Sequence, residues 1–179
     1  MVGKRLIRTE IAGVLFVGLL GVLLHFAYDW SGGNGLVGAF SAVNESIWEH
    51  LKLLFFPAML FSVLQYWRTG YLLPNFWAVR TVSVLAGTVL IPVLFYTYSG
   101  ILGRNVDWVN IAIFFVAVIG VFGLDGLLRR TGAFGGGWKQ VLGVAILWVL
   151  AFLFIWSTWH PVELPLWQDP ITGTYGIQT

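Results

Sequence analysis

Five runs of about twenty apolar residues, separated by short polar or Gly/Pro-containing connections, constrain this chain more than any other feature. They fall at about residues 11–28, 47–67, 77–98, 108–128 and 141–159. A hydrocarbon core about 30 Å thick is crossed by roughly 20 residues of helix, so each run is long enough to span a bilayer. With 58% of residues hydrophobic and only 10% charged, the 179-residue chain cannot cover a water-facing surface. Lipid must solvate most of it. The expected fold is therefore an all-α polytopic bundle of about five transmembrane helices, forming a single integral membrane domain over 1–179. Residues 160–179 form a tail beyond the last span. The apolar piece from Leu36 to Val43 is too short to cross and reads as an interfacial or re-entrant turn.

The basic residues orient the bundle, because Lys and Arg concentrate on the cytoplasmic side. Of ten, eight (Lys4, Arg5, Arg8, Arg68, Arg80, Arg129, Arg130 and Lys139) fall on one side, and only Lys52 and Arg104 on the other. An N-in, C-out topology in the inner or plasma membrane follows, with the tail extracytoplasmic. The first run is too long for a signal-peptide core and lacks a small-residue cleavage site, so it reads as a retained span. Trp30, Trp48, Trp108, Trp156, Trp159 and Trp167 mark the outer boundary, and Trp67, Trp77 and Trp138 the inner one. Pro57 and Pro92 fall inside the second and third spans, where each bends the helix or frees a carbonyl.

Composition also excludes chemistry. No cysteine is present, which rules out thiolate nucleophiles, disulfides and Cys-ligated metal or iron–sulfur sites. A net charge of +2 gives no electrostatic footprint for nucleic acid. Membrane lipid is the expected partner. No H-E-x-x-H, G-x-S-x-G, Walker A or dinucleotide fingerprint occurs, and Gly135-Gly-Gly-Trp-Lys139 lacks phosphate-loop spacing.

The few polar residues are not scattered. His25, His50 and His160 end three different spans at the same outer level, where six of the eight acids, Asp29, Glu45, Glu49, Asp107, Glu163 and Asp169, also lie. Glu10 and Asp125 remain on the inner side. Ionisable groups near hydrocarbon face a cavity or one another, which makes the outer cluster a candidate site. The positive-inside bias alone leaves outer loops acidic, but it does not account for histidines. Three histidines with neighbouring carboxylates form a ligand set for a divalent metal, zinc first, with an open position for water. Haem ligation by two of the histidines remains an alternative.

The densest polar stretch is Asn44-Glu-Ser-Ile-Trp-Glu-His-Leu-Lys52. Ser46 followed by Glu49 reads structurally as a capping box, and functionally as an oxyanion donor and a general base. Ser46 and His50 share a helix face, and Lys52 can reach Glu49 at i+3. His25 and Asp29, four apart, also share a face, so that the carboxylate can orient the imidazole. The Pro-rich tail cannot continue the fifth helix and is expected to fold back over the outer face, carrying Glu163 and Asp169.

The run from Asn44 to Pro57, with His25-Phe-Ala-Tyr-Asp-Trp30 before it and Trp159-His-Pro161 and Gln168-Asp-Pro170 after it, resembles a family of small multi-pass prokaryotic membrane proteins of unknown function. That resemblance implies a fold and a membrane location but no activity. A fainter likeness, through Ser46-x-x-x-His50, is to the alkaline ceramidase and progestin-receptor-like superfamily of membrane metal hydrolases. This chain departs from it with five spans instead of seven and a single late histidine, His160.

Three functions are compatible with these features. The leading one is a metal-dependent hydrolase of a lipid or membrane-associated substrate, with His25, His50 and His160 as ligands, Glu49 as base and Ser46 as donor. The others are a transporter or ion- and proton-binding protein without enzymatic activity, and a structural accessory subunit.

Overall fold

The computed structural model describes residues 2–132 and 134–177, with the side chains of residues 2–6 left aside. It is all-helical, apart from one isolated antiparallel bridge between Gln168 and Tyr175. The elements are α1 (Val2–Trp30), α2 (Gly35–Gly38), α3 (Ile47–Arg68), a 3₁₀ turn (Gly70–Leu72), α4 (Phe76–Leu102), α5 (Asp107–Arg130) and α6 (Gly137–Trp159). Among the described residues, five helices (all but α2) are long and apolar enough to cross a membrane. They run up and down in chain order, so the C-terminal ends of α1, α4 and α6 meet the N-terminal ends of α3 and α5.

Each boundary has a local cause. Asn34 caps α2 by accepting from the Leu36 and Val37 amides, so the short apolar piece folds as one helical turn. Ser46 caps α3, with its hydroxyl oxygen accepting from the Glu49 amide at 3.4 Å. Gly103, at φ 66°, ends α4 in the left-handed conformation that glycine adopts without a Cβ penalty. Pro161 stops α6, whose C-cap is His160.

α4 packs against α3, α5 and α6, while α1 packs against α3 and α5. The shared core includes Val17, Leu54, Phe55, Ala58, Val84, Ala117, Val118 and Phe154. In lipid, helices associate by close packing more than by hydrophobicity, and small residues set the approach. Pro57 cannot donate to the Leu53 carbonyl, and α1 presents Gly21 at that point. A Cβ on Gly21 would stand 2.6 Å from this oxygen. Pro57 thus frees a carbonyl inside a continuous α3, and a glycine on the neighbouring helix lets α1 close on it.

At the end opposite the histidines, a buried charge network joins four helices. Arg80 Nε lies 3.1 Å from Asp125 Oδ1, and Arg80 Nη2 donates to Gln65 Oε1 at 2.5 Å. Arg129, one helical turn beyond Asp125, grips the same carboxylate through Nε and, at 2.9 Å, through Nη2. Glu10 completes the group by accepting from Gln65 Nε2 at 3.1 Å and lying 3.6 Å from Arg80. The guanidinium of Arg80 also sits over Phe122 at 4.8 Å, and that of Arg129 over Phe76 at 4.4 Å. Arg80 and Arg129, two of the eight basic residues that the sequence groups on one side, are therefore internal.

Candidate functional site

The loop before α3 places a carboxylate between two imidazoles. Glu45 Oε2 lies 3.5 Å from His50 Nε2, and Glu45 Oε1 lies 3.9 Å from His25 Nε2. The two imidazole rings are 5.2 Å apart between centroids. One ligand atom from each of His25, Glu45 and His50 lies within 4.8 Å of the other two. Bonds of about 2.1 Å in a tetrahedral zinc site put ligand atoms roughly 3.4 Å apart. The group is thus wider than a closed coordination shell, although all three side chains point to one place.

The backbone fixes part of this arrangement. His50 Nδ1 lies 2.8 Å from the Ser46 carbonyl oxygen, which can only accept, so Nδ1 carries the proton. In the neutral ring Nε2 then offers its lone pair towards Glu45. A lone pair facing a carboxylate at 3.5 Å makes this a place where a proton or a cation between the two is favourable. His25 has no such support, because its Nδ1 is buried without a hydrogen-bond partner. Its tautomer is free to adjust.

The tail holds Glu45 in place. Residues 160–177 fold back over the start of α3. The Trp48 amide donates to Leu166 O at 2.9 Å, Trp48 stacks on Trp167 at 4.4 Å, and Asn44 Nδ2 donates to Gly176 O at 3.2 Å. Asp169 accepts from the Ile171 amide at 2.7 Å and from the backbone of Glu45. Burial by itself raises the Asp169 carboxyl, but the hydrogen bonds from Ile171, Thr172 and Glu45 outweigh it and hold the group below its ordinary 3.8.

Beside the group lies a cavity of about 570 Å³. His25, Glu45, His50, Asn105, Asp107 and Asn110 supply its polar rim, while Leu53, Ile91, Phe95 and Phe114 make its walls apolar. Tyr98 braces the far rim, its hydroxyl 2.5 Å from Asn110 Oδ1 and 2.9 Å from Asn105 Oδ1.

Not every residue singled out by the sequence is here. His160 is exposed and stacks on Trp156 with centroids 3.9 Å apart, and it lies outside the His25–Glu45–His50 group. The last turn of α6 supplies a flat indole for it, so the imidazole packs on its own helix. Glu49 also points elsewhere. Its Oε2 accepts from Lys52 Nζ at 2.6 Å and from the Val43 amide at 3.2 Å. The Lys52 ammonium, fully enclosed, completes its shell with Thr158 Oγ1 at 2.6 Å and Gly38 O at 3.2 Å. This pair locks α3 to α2 and α6. Ser46 Oγ is buried in its capping contact and turned from the cavity, and Asp29 is exposed, leaving Glu45 as the carboxylate paired with His25.

The sequence does not single out Glu45 from the other outer acids, nor does it reveal the network of Glu10, Gln65, Arg80, Asp125 and Arg129. The Asp125 to Arg129 spacing of four residues carried a signal for the latter. For Glu45 no local pattern exists, since its position depends on Asp169, far away in the chain.

Together these features define a five-span helical membrane protein with a two-histidine, one-carboxylate group at the mouth of a largely apolar cavity. The chain belongs to a family of unknown function (DUF6512), whose match covers residues 4–177. No curated protein and no solved structure matches it.

Proposed function

We propose that the protein is a metal-dependent hydrolase of the inner or plasma membrane, acting at its extracytoplasmic face on a lipid or another membrane-borne substrate. The observation that carries this reading is the meeting of His25, Glu45 and His50 at the rim of the cavity. Two imidazoles and a carboxylate, with a further position open, suit zinc in a catalytic setting. Such an ion supplies an acidified water and polarises a carbonyl. Within this reading His25, Glu45 and His50 hold the ion, and Ser46 acts through its carbonyl by orienting His50. Glu49, bound to Lys52, serves the fold.

The facing of His50 Nε2 and Glu45 favours a second reading, in which the pair shares a proton or an exchangeable cation without turnover. Assay of the detergent-purified protein on ester- and amide-linked fluorogenic lipids, before and after chelation, separates the two. Zinc-restored hydrolysis supports the first reading, and its absence with a weakly held ion supports the second. The N-in, C-out orientation predicts that a reporter fused at the C-terminus is active only outside the cytoplasm. A cytoplasmic signal would move the site to the other face.

A further inference from the structure

We infer that the cavity takes an uncharged, single-chain amphiphile that enters sideways from the bilayer through a cleft between α1 and α5. This rests on the reading that the site acts on a membrane-borne substrate, and it specifies that substrate's class and route.

The cleft is built by where α1 and α5 touch and where they part. Along their lower contact, glycines on α1 receive aromatic rings from α5. A Cβ on Gly18 would stand 3.1 Å from Phe115, and one on Gly21 would stand 2.5 Å from Phe114. Val22 and Phe26 of α1 and Ile111 of α5 all line the cavity, yet they are 40%, 44% and 58% exposed. Residues that line the cavity and remain this exposed place an opening between α1 and α5, within the outer turns of the two spanning helices. The cavity floor is apolar and closed, with Ile91 and Ile113 each only 7% exposed. A volume of about 570 Å³ falls within the roughly 300–1,000 Å³ typical of a site for one small molecule.

The rim selects the head group. Glu45 and Asp107 are both on it, and among the described residues no Lys or Arg lines the cavity. With an ion held by His25, Glu45 and His50, Glu45 is already paired, and Asp107 is the rim carboxylate that a phosphate or carboxylate head would meet with no Lys or Arg beside it. An ammonium head would compete with the cation that His25, Glu45 and His50 are arranged to hold. An uncharged head with oxygen acceptors meets neither penalty. Asn110 Nδ2 donates to Asn105 Oδ1 at 2.8 Å, and the single Tyr98 hydroxyl proton lies within reach of both side-chain oxygens, nearer that of Asn110. The Asn105 amide nitrogen is left to donate to a bound head.

The test uses the full chain in lipid nanodiscs and a monoacylglycerol carrying a photoreactive diazirine at its chain end. Labelling is expected on α1 and α5 around the cleft, displaced by unlabelled monoacylglycerol but not by lysophosphatidate. Ile111→Trp and Val22→Trp fill the opening from opposite sides, and each should lower labelling about tenfold, as overpacking of a site does. Using both keeps the test valid if one variant folds poorly. Labelling unchanged in the folded variants, or equal displacement by lysophosphatidate, overturns the proposal. Metal content is read in the same samples. Cleft labelling without bound metal overturns the metal-centre reading alone, and bound metal without cleft labelling overturns the amphiphile site alone.

Discussion

His50 donates its Nδ1 proton to the backbone carbonyl of Ser46 at 2.8 Å, four residues back in the first turn of α3. Because the acceptor is a carbonyl and not the hydroxyl, the two parts of Ser46 have separable roles. Its side chain caps the helix, and its backbone directs Nε2 towards Glu45.

Ser46→Ala should therefore lower stability by about 1 kcal/mol, the usual value of an N-cap, and leave metal affinity unchanged. His50→Ala should abolish metal binding with a smaller effect on melting. Thermal unfolding and elemental analysis of the two variants check this. Loss of metal in Ser46→Ala would show that its hydroxyl takes part in the site.

The Glu49–Lys52 pair predicts the reverse behaviour. Both side chains are buried, and Glu49→Gln leaves an enclosed ammonium without its counter-charge. Breaking a buried pair in this way costs on the order of 3–5 kcal/mol, well above a capping effect. The double change Glu49→Gln with Lys52→Met should recover much of the loss, because no charge then remains unpaired. Denaturation of the three variants in detergent measures the coupling. A mild Glu49→Gln that retained stability while losing activity would return Glu49 to the chemistry.

Asp125 receives both Arg80 and Arg129, so its neutralisation leaves two buried guanidinium groups sharing only Glu10. Asp125→Asn should destabilise the bundle by several kcal/mol, on the order of 3 or more. Arg129→Lys should fall between it and the parent, because an ammonium cannot grip the carboxylate with two parallel hydrogen bonds. Measured melting temperatures should follow that order.

Acid should release the tail through Asp169. Its carboxyl is held below the ordinary 3.8, so its contribution is complete above that value and disappears as pH falls through the lower, folded one. Tryptophan fluorescence from the Trp48–Trp167 stack should be constant from neutral pH to about 5 and change only below about 4. Asp169→Asn should loosen the tail at neutral pH and remove this acid step. A transition centred near pH 6 instead would point to the histidines.

The sequence made legible what local pattern determines. Apolar length marked the helices, matching depth marked His25 and His50, and the i+3 spacing joined Glu49 to Lys52. His160 shared that depth, but depth does not fix direction, and the indole of Trp156 one turn earlier captured the ring. Arg80 and Arg129 lie at the end opposite the histidines, but a charge bias concerns position along the membrane normal and is blind to which face of a helix a residue occupies. Glu45 became a partner of both histidines only through long-range contacts: Asp169 holding its backbone and Asn44 tied to Gly176.

The central claim is a metal centre made by His25, Glu45 and His50, and metal stoichiometry across a set of variants tests it most directly. The parent and His160→Ala, purified without chelators and exposed to limiting zinc, should each hold about one ion per chain, the stoichiometry of a single mononuclear site. His25→Ala, Glu45→Ala and His50→Ala should each lose it while remaining folded. Retention of zinc by all three, or its absence from the parent, would contradict the account.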